Sequence, residues 1–260
     1  MNAVEVRDLS KSFGGLRAVS NVSVTVPVGS ITALIGPNGA GKTTLFNLIT
    51  NLYRPDCGEI RLFGDLLQGG PPWEIARRGV VRTFQTARVF PGMTTFENVL
   101  SGAHLHLQSN LLQQMLRLGR CRREERFLAR RAETLLDLVG LTRFRDVAAT
   151  DLPMGAQKLL EMIRAFMAMP RLLLLDEPAS GLNDGETAEL AVLLRAVRES
   201  GVTLAIVEHN MSLVMGVADQ VIVLDAGKVV ASGSPREIQG DARVIEAYVG
   251  QVEGTEQCLS

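Results

Sequence analysis

The chain has 260 residues, the size of one large domain or two small ones. Its 27 basic and 28 acidic side chains leave a formal charge of −1, which excludes a nucleic-acid binder held mainly by charge. Hydrophobic residues make up 46%, so disorder is excluded as the main state, and with aromatics at only 5% the core must be aliphatic.

Val22, Val24 and Val26 alternate with polar residues, the period of a half-buried strand, and Pro27 and Gly29 punctuate it. Ile31 to Ile35 then runs into a glycine-rich loop, after which Leu45, Leu48 and Ile49 recur at helical spacing. Glu59 to Phe63, ended by Gly64, reads as another strand. A Gly/Pro-rich connection from Gln68 to Pro72 leads to a strand-like stretch from Gly79 to Phe84. From about Phe90 to Arg164 the chain reads as helical. Leu128, Ala132, Leu135, Leu136 and Val139 fall on one face, with Arg126, Arg130 and Arg131 mostly off it.

Pro170 stops the next helix before Leu172 to Leu175, a continuous apolar run of the kind buried in parallel sheets. A helix carrying Leu190, Leu193, Leu194 and Val197 follows, then strands at Val202 to Val207 and Val221 to Leu224. Ser234-Pro235-Arg236-Glu237 opens a last helix with an N-cap serine, a first-turn proline and a capping-box glutamate. Alternating strands and helices imply an α/β parallel sheet. The N-terminal strands and the helical middle are expected as subdomains attached to it.

Cys57, Cys121 and Cys258 are scattered and odd in number, which suits a reducing compartment and no structural zinc. No apolar run reaches the ~18 residues of a membrane span, and the first residues lack a signal-peptide core. The expectation is a soluble, cytoplasmic chain that works at a membrane only as a peripheral subunit. The basic stretch Arg117 to Arg131 is interrupted by Glu124 and Glu125 and reads as the solvated face of an amphipathic helix. His104 and His106 are too isolated to be metal ligands.

Gly36-Pro37-Asn38-Gly39-Ala40-Gly41-Lys42-Thr43-Thr44 matches the phosphate-binding pattern G-x-x-x-x-G-K-[ST]. Glycines let the backbone curl so that its N–H groups face phosphate oxygens, and the following helix N-terminus adds the positive end of its dipole. Lys42 is expected to reach the β- and γ-phosphates, and the Thr43 hydroxyl to ligate Mg²⁺. Leu172 to Leu175 followed by Asp176-Glu177-Pro178 reads as a Walker B strand: Asp176 holds Mg²⁺ through water, and Glu177 polarises the attacking water. The fold expected is a P-loop NTPase, RecA-like.

Three further features narrow the field. Gln85 ends the strand Val80 to Phe84, Ala179-Ser180-Gly181-Leu182-Asn183 follows the Walker B, and His209 ends the strand Leu204 to Glu208. Together they resemble the ATP-binding cassette of ABC transporters. That resemblance makes Gln85 a Q-loop residue and a metal contact, the 179–183 turn the D-loop, and His209 the switch histidine at the γ-phosphate. Leu152-Pro153-Met154-Gly155-Ala156-Gln157 stands where the family has its L-S-G-G-Q signature. Leu152 and Gly155 match, but Pro153 replaces the usual Ser and Ala156 the usual Gln. Phe13 stands where the family stacks an aromatic on adenine, burial at the edge of the β-subdomain being the alternative.

The resemblance implies one cassette over residues 1–260. About 1–89 and 165–235 form the core and β-subdomain, about 90–164 the helical signature subdomain, and 236–260 a C-terminal helix and tail. Ile75 to Gln85, Val207 to Met211, Gly181-Leu182-Asn183 and Val244 to Gly250 are similar to the ATPase subunits of branched-chain amino acid importers. Asn210 departs from the commonest versions. This implies ATP and Mg²⁺ as cofactors, a second cassette as partner, a heterodimer being favoured, two membrane permeases and a periplasmic binding protein, with no nucleic acid. The chain would sit on the cytoplasmic side of the inner membrane. Phe90, Pro91 and Met93 are expected to face a permease loop, with burial in the chain's own core as the alternative. A lipid or lipopolysaccharide exporter, a urea or amide importer, a soluble ABC ATPase and a small-molecule kinase are the competing readings.

Overall fold

The computed structural model describes residues 1–67, 69–83, 88–106 and 119–255. β1 (Asn2–Phe13) and β2 (Leu16–Pro27) form an antiparallel hairpin with Val4 opposite Val26 and Phe13 opposite Leu16. The chain then enters β3 (Ile31–Ile35), whose five residues are all buried, and α1 (Lys42–Ile49). β4 (Cys57–Leu62) and β5 (Asp65–Leu66) return to the hairpin and complete a sheet in the order β2-β1-β4-β5.

α2 (Pro72–Arg77) leads into β6 (Val80–Arg82), shorter at both ends than the sequence suggests. The middle is not one continuous helical stretch. It holds α3 (Thr95–Ser101), α4 (Gly119–Leu138) and α5 (Met154–Met167), with irregular chain and single 3₁₀ turns between α4 and α5. There follow β7 (Leu172–Asp176), α6 (Asp184–Glu199), β8 (Thr203–Val207), α7 (Met211–Val217) and β9 (Gln220–Asp225). β10 (Lys228–Gly233), α8 (Pro235–Gln239) and α9 (Ala242–Thr255) close the chain. The second sheet runs β10-β9-β3-β8-β7-β6, parallel except for β10 at its edge.

The parallel strands are apolar on both faces because both faces are covered. On one side Leu34, Leu172, Leu174 and Leu224 meet Phe46 of α1 and the inner residues Val4, Val6 and Leu9 of the antiparallel sheet. On the other, Ile35, Leu173 and Leu175 meet the apolar faces of α4, α5 and α6. The stripe Leu128, Ala132, Leu135, Leu136 and Val139 is buried, and so are Leu190, Leu193, Leu194 and Val197. Ser234 caps α8 in the expected capping box. Among the described residues no helix is long and apolar enough to cross a membrane.

Leu160 of α5 is fully buried within the core that joins the helices to the sheet. Leu160→Ala is expected to lower unfolding free energy by about 2–5 kcal/mol, read by urea denaturation.

Candidate functional site

The parallel register sets three strand ends side by side. β3 and β8 pair with Leu34 opposite Val207, and β7 and β8 with Asp176 opposite Val207. The 36–41 loop, the Asp176-Glu177 pair and the Glu208-His209 pair therefore leave the sheet at one edge, its carboxyl end, where α/β sheets bind ligands.

The loop after β3 is shaped by two glycines. Gly36 has φ +145°, and a Cβ there would lie 1.9 Å from the Leu224 carbonyl oxygen. Gly41 has φ +98°, and its Cβ would lie 2.3 Å from the Ala18 oxygen. No side chain fits either place. Pro37 and Ala40 are buried, Asn38 and Gly39 form the exposed tip, and Ala40 N–H donates to the Pro37 carbonyl at 3.2 Å. Gly41, the N-cap of α1, offers no side-chain cap. The first helical N–H to bond back is that of Leu45, to the Gly41 carbonyl at 2.9 Å. The first-turn amides of Lys42, Thr43 and Thr44 are thus oriented for an anion.

The Lys42 ammonium is buried within the loop, donating to the carbonyls of Gly36 at 2.7 Å and Pro37 at 2.8 Å. Burial pulls its pKa below the usual lysine value, and the charges of Glu177 and Asp176 oppose that shift. Thr43 lies exposed at the start of the helix.

Asp176 is buried at the end of β7. Its Oδ2 accepts from Arg82 Nη2 at 2.8 Å. Arg82, on β6, also donates from Nη1 to Asn47 Oδ1 of α1 at 2.6 Å. One guanidinium therefore ties the Asp176 carboxylate to the helix that follows the 36–41 loop. The sequence marks Arg82 only as a single charge inside an otherwise apolar strand. Glu177 follows with φ +50°, uncommon for a side-chain-bearing residue, and its N–H donates to the Val207 carbonyl at 2.9 Å. The strain turns the chain sharply out of β7, beside the phosphate loop.

His209 is exposed at the end of β8. Asn210 is the N-cap of α7, its Oδ1 accepting from Leu213 N–H at 3.0 Å, which accounts for an asparagine there. Asn183 caps α6 in a reciprocal box with Glu186. Phe13 is 42% exposed and meets Tyr53 edge to face at 5.2 Å, so the alternative of a buried edge residue does not apply. Gln85 lies outside the described residues.

The 152–157 segment forms the start of α5. Leu152 is buried, while Pro153 is the N-cap with no side-chain cap, and Met154 is exposed. Gly155 is buried, and a Cβ there would meet the Glu186 carboxylate at 2.0 Å. Ala156 packs against the core, and Gln157 turns back to donate to the Leu152 carbonyl at 2.9 Å.

Between α2, β6, α3 and α5 lies a groove of about 620 Å³, lined by Leu52, Trp73, Arg82, Phe90, Glu161 and Arg164 among others. Phe90, Pro91 and Met93 are exposed. Buried Asn98 shapes their segment, accepting from Phe90 N–H at 2.8 Å and donating to the Phe90 carbonyl at 3.2 Å.

Comparison with known proteins agrees with this geometry. Residues 19–180 match the family described as "ABC transporter", and residues 228–253 match "Branched-chain amino acid ATP-binding cassette transporter". The chain belongs to the ABC transporter family of ATP-binding cassettes. The high-affinity branched-chain amino acid transport ATP-binding protein BraF of Pseudomonas aeruginosa is 45% identical, over 95% of this chain and 98% of that protein. LivG of Escherichia coli, of the same description, is 42% identical with the same coverage. A crystal structure of an ATP-binding cassette in its ADP conformation superposes with a TM-score of 0.81 at 28% identity, covering 96% of this chain and 99% of that one. A nucleotide-free cassette gives 0.80 at 29%, covering 95% and 99%.

In this cassette the Thr43 hydroxyl and the Asp176 carboxylate are the hard oxygen donors that suit Mg²⁺. Arg82→Met would leave Asp176 buried without its partner. The variant is expected to lose about 3–5 kcal/mol of stability in urea unfolding, and adding Asp176→Asn should recover much of it.

Proposed function

We propose that this chain is the ATP-hydrolysing subunit of an ABC importer for branched-chain or related amino acids. The solute assignment rests on one observation above others: the match at residues 228–253, added to near full-length similarity to branched-chain importer ATPases. The ATPase does not touch the solute, so the site itself names only the nucleotide.

The phosphates of ATP lie in the 36–44 loop, on the first-turn amides of α1 and the Lys42 charge. Phe13, with an exposed ring, stacks on adenine. Thr43, Asp176 and Gln85 are the residues that would hold Mg²⁺, which would neutralise phosphate charge. Glu177 polarises the water that attacks the γ-phosphorus, and the β–γ bridging oxygen leaves with ADP. His209 contacts the γ-phosphate from the neighbouring strand end.

Hydrolysis takes place in a closed pair of cassettes, each phosphate loop facing the other's signature. The groove beside Phe90, Pro91 and Met93 receives a loop of a membrane permease, which holds the chain at the cytoplasmic side of the membrane. Two permeases and a periplasmic binding protein complete the importer. Glu177→Gln keeps shape and removes charge: in the assembled transporter, ATP binding is expected to persist while turnover falls by ~10²–10⁴. Turnover at the wild-type rate would remove Glu177 from this role.

The partner is a second, different cassette. Pro153 brings neither hydroxyl nor N–H to the signature, so the site this chain completes for its neighbour hydrolyses poorly. Its own phosphate loop, Asp176, Glu177 and His209 are intact. Lys42→Ala in the assembled complex is expected to abolish most hydrolysis, and the equivalent partner change to cost much less. Equal losses, or a fully active homodimer, would refute the asymmetry.

A further inference from the structure

We propose that Glu208 is a positioning residue that joins the His209 loop to the 179–183 loop, so that nucleotide at the phosphate site is felt in the 179–183 loop. The proposal rests on the nucleotide reading above and adds a route out of that site.

Glu208 is fully buried at the end of β8, where every strand residue before it is apolar or a small threonine or alanine. A buried carboxylate is costly unless its oxygens are matched by donors. Here both are. Oε1 accepts from Ala179 N–H at 2.6 Å, and Oε2 accepts from His209 N–H at 3.0 Å and Asn210 N–H at 3.2 Å. Those N–H groups belong to two separate loops, Ala179 lying 29 residues before Glu208. The Ala179 contact is at the short end for an N–H donor, as charge-assisted bonds are.

A positive charge stands by. Lys158 of α5 donates to the Ser180 carbonyl, one residue beyond Ala179. Burial lowers its pKa, and Glu208, Glu161 and Glu177, in that order, resist the shift. The 179–183 loop is therefore gripped twice, at Ala179 by Glu208 and at Ser180 by Lys158. The first grip leads to His209, the second to the helix that begins with the signature. Displacement of the His209 backbone moves the carboxylate, and the carboxylate carries Ala179 with it. An apolar residue at 208 would pack equally well but leave three amides without acceptors.

Hydrogen exchange on the full chain, with and without a non-hydrolysable ATP analogue, tests this. In the wild type the analogue should slow exchange in both 207–211 and 178–183. In Glu208→Gln an amide N–H₂ faces backbone donors, so one loop loses its acceptor. Slowing should then be confined to 207–211, with analogue affinity within about threefold of wild type. In the assembled transporter kcat should fall about 10–100-fold, with KM for ATP nearly unchanged. Glu208→Asp is the second variant. One methylene shorter, it still accepts from His209 and Asn210 N–H but does not reach Ala179, so the same split is expected. Adding either change to His209→Ala should cost nothing more. Undiminished response of 178–183 in both variants overturns the proposal, as does an unchanged kcat or additive loss with His209→Ala. A wild-type chain that binds no analogue overturns the nucleotide reading itself, whereas binding without a response at 178–183 overturns only the coupling.

Discussion

The backbone hydrogen bonds that hold β3, β8 and β7 in parallel register set the 36–41 loop, the Asp176-Glu177 pair and the Glu208-His209 pair side by side before any side chain acts. Val207 is the common reference. It lies opposite Leu34 on one side and Asp176 on the other, and its carbonyl accepts the Glu177 N–H. A slip of one residue in either pairing would turn the strand-end side chains to the other face of the sheet and part Glu177 from the phosphate loop. The register is secured by burial on both faces, since all fifteen residues of these three strands are buried. Stability and site geometry thus have one cause.

The same edge concentrates charge that the core would otherwise reject. Arg82 and Asp176, Glu208 with its three amides, and Lys158 against the Ser180 carbonyl are each compensated locally. Apolar substitutes would fill the same volume at lower desolvation cost. What the charged groups add is connection. Arg82 joins β7 to α1, Glu208 joins β8 to the loop after β7, and Lys158 joins that loop to α5. Each link crosses between elements far apart in sequence.

This division explains what was legible in the sequence. The phosphate loop, Asp176 and Glu177 stand out because backbone and phosphate chemistry demand certain residue types at short, fixed spacing, whereas His209 is singled out only by the family resemblance. Arg82 and Asp176 are 94 residues apart, Glu208 and Ala179 29, and Lys158 and Ser180 22, so their pairing exists only in the fold. The buried strands were visible as apolar runs. β1 was not, because register shifts between Val6 and Leu9, with Asp8 at φ +49°, interrupt its alternation. β10 was hidden for another reason: as an edge strand it buries only Ala231.

The 152–157 segment, proposed above as the signature, separates what packing demands from what a ligand would demand. Gly155 has no room for a side chain because the Glu186 carboxylate occupies that space, and Glu186 is itself fixed by its capping box with Asn183. Leu152 is buried, and Gln157 closes back on its carbonyl. The positions that differ, Pro153 and Ala156, make no polar side-chain contact within this chain, and proline with φ near −53° suits the residue that precedes a helix. Constraints internal to the cassette therefore preserve the helix start and its glycine. Pro153 and Ala156 leave undisturbed the helix that Lys158 anchors to the 179–183 loop.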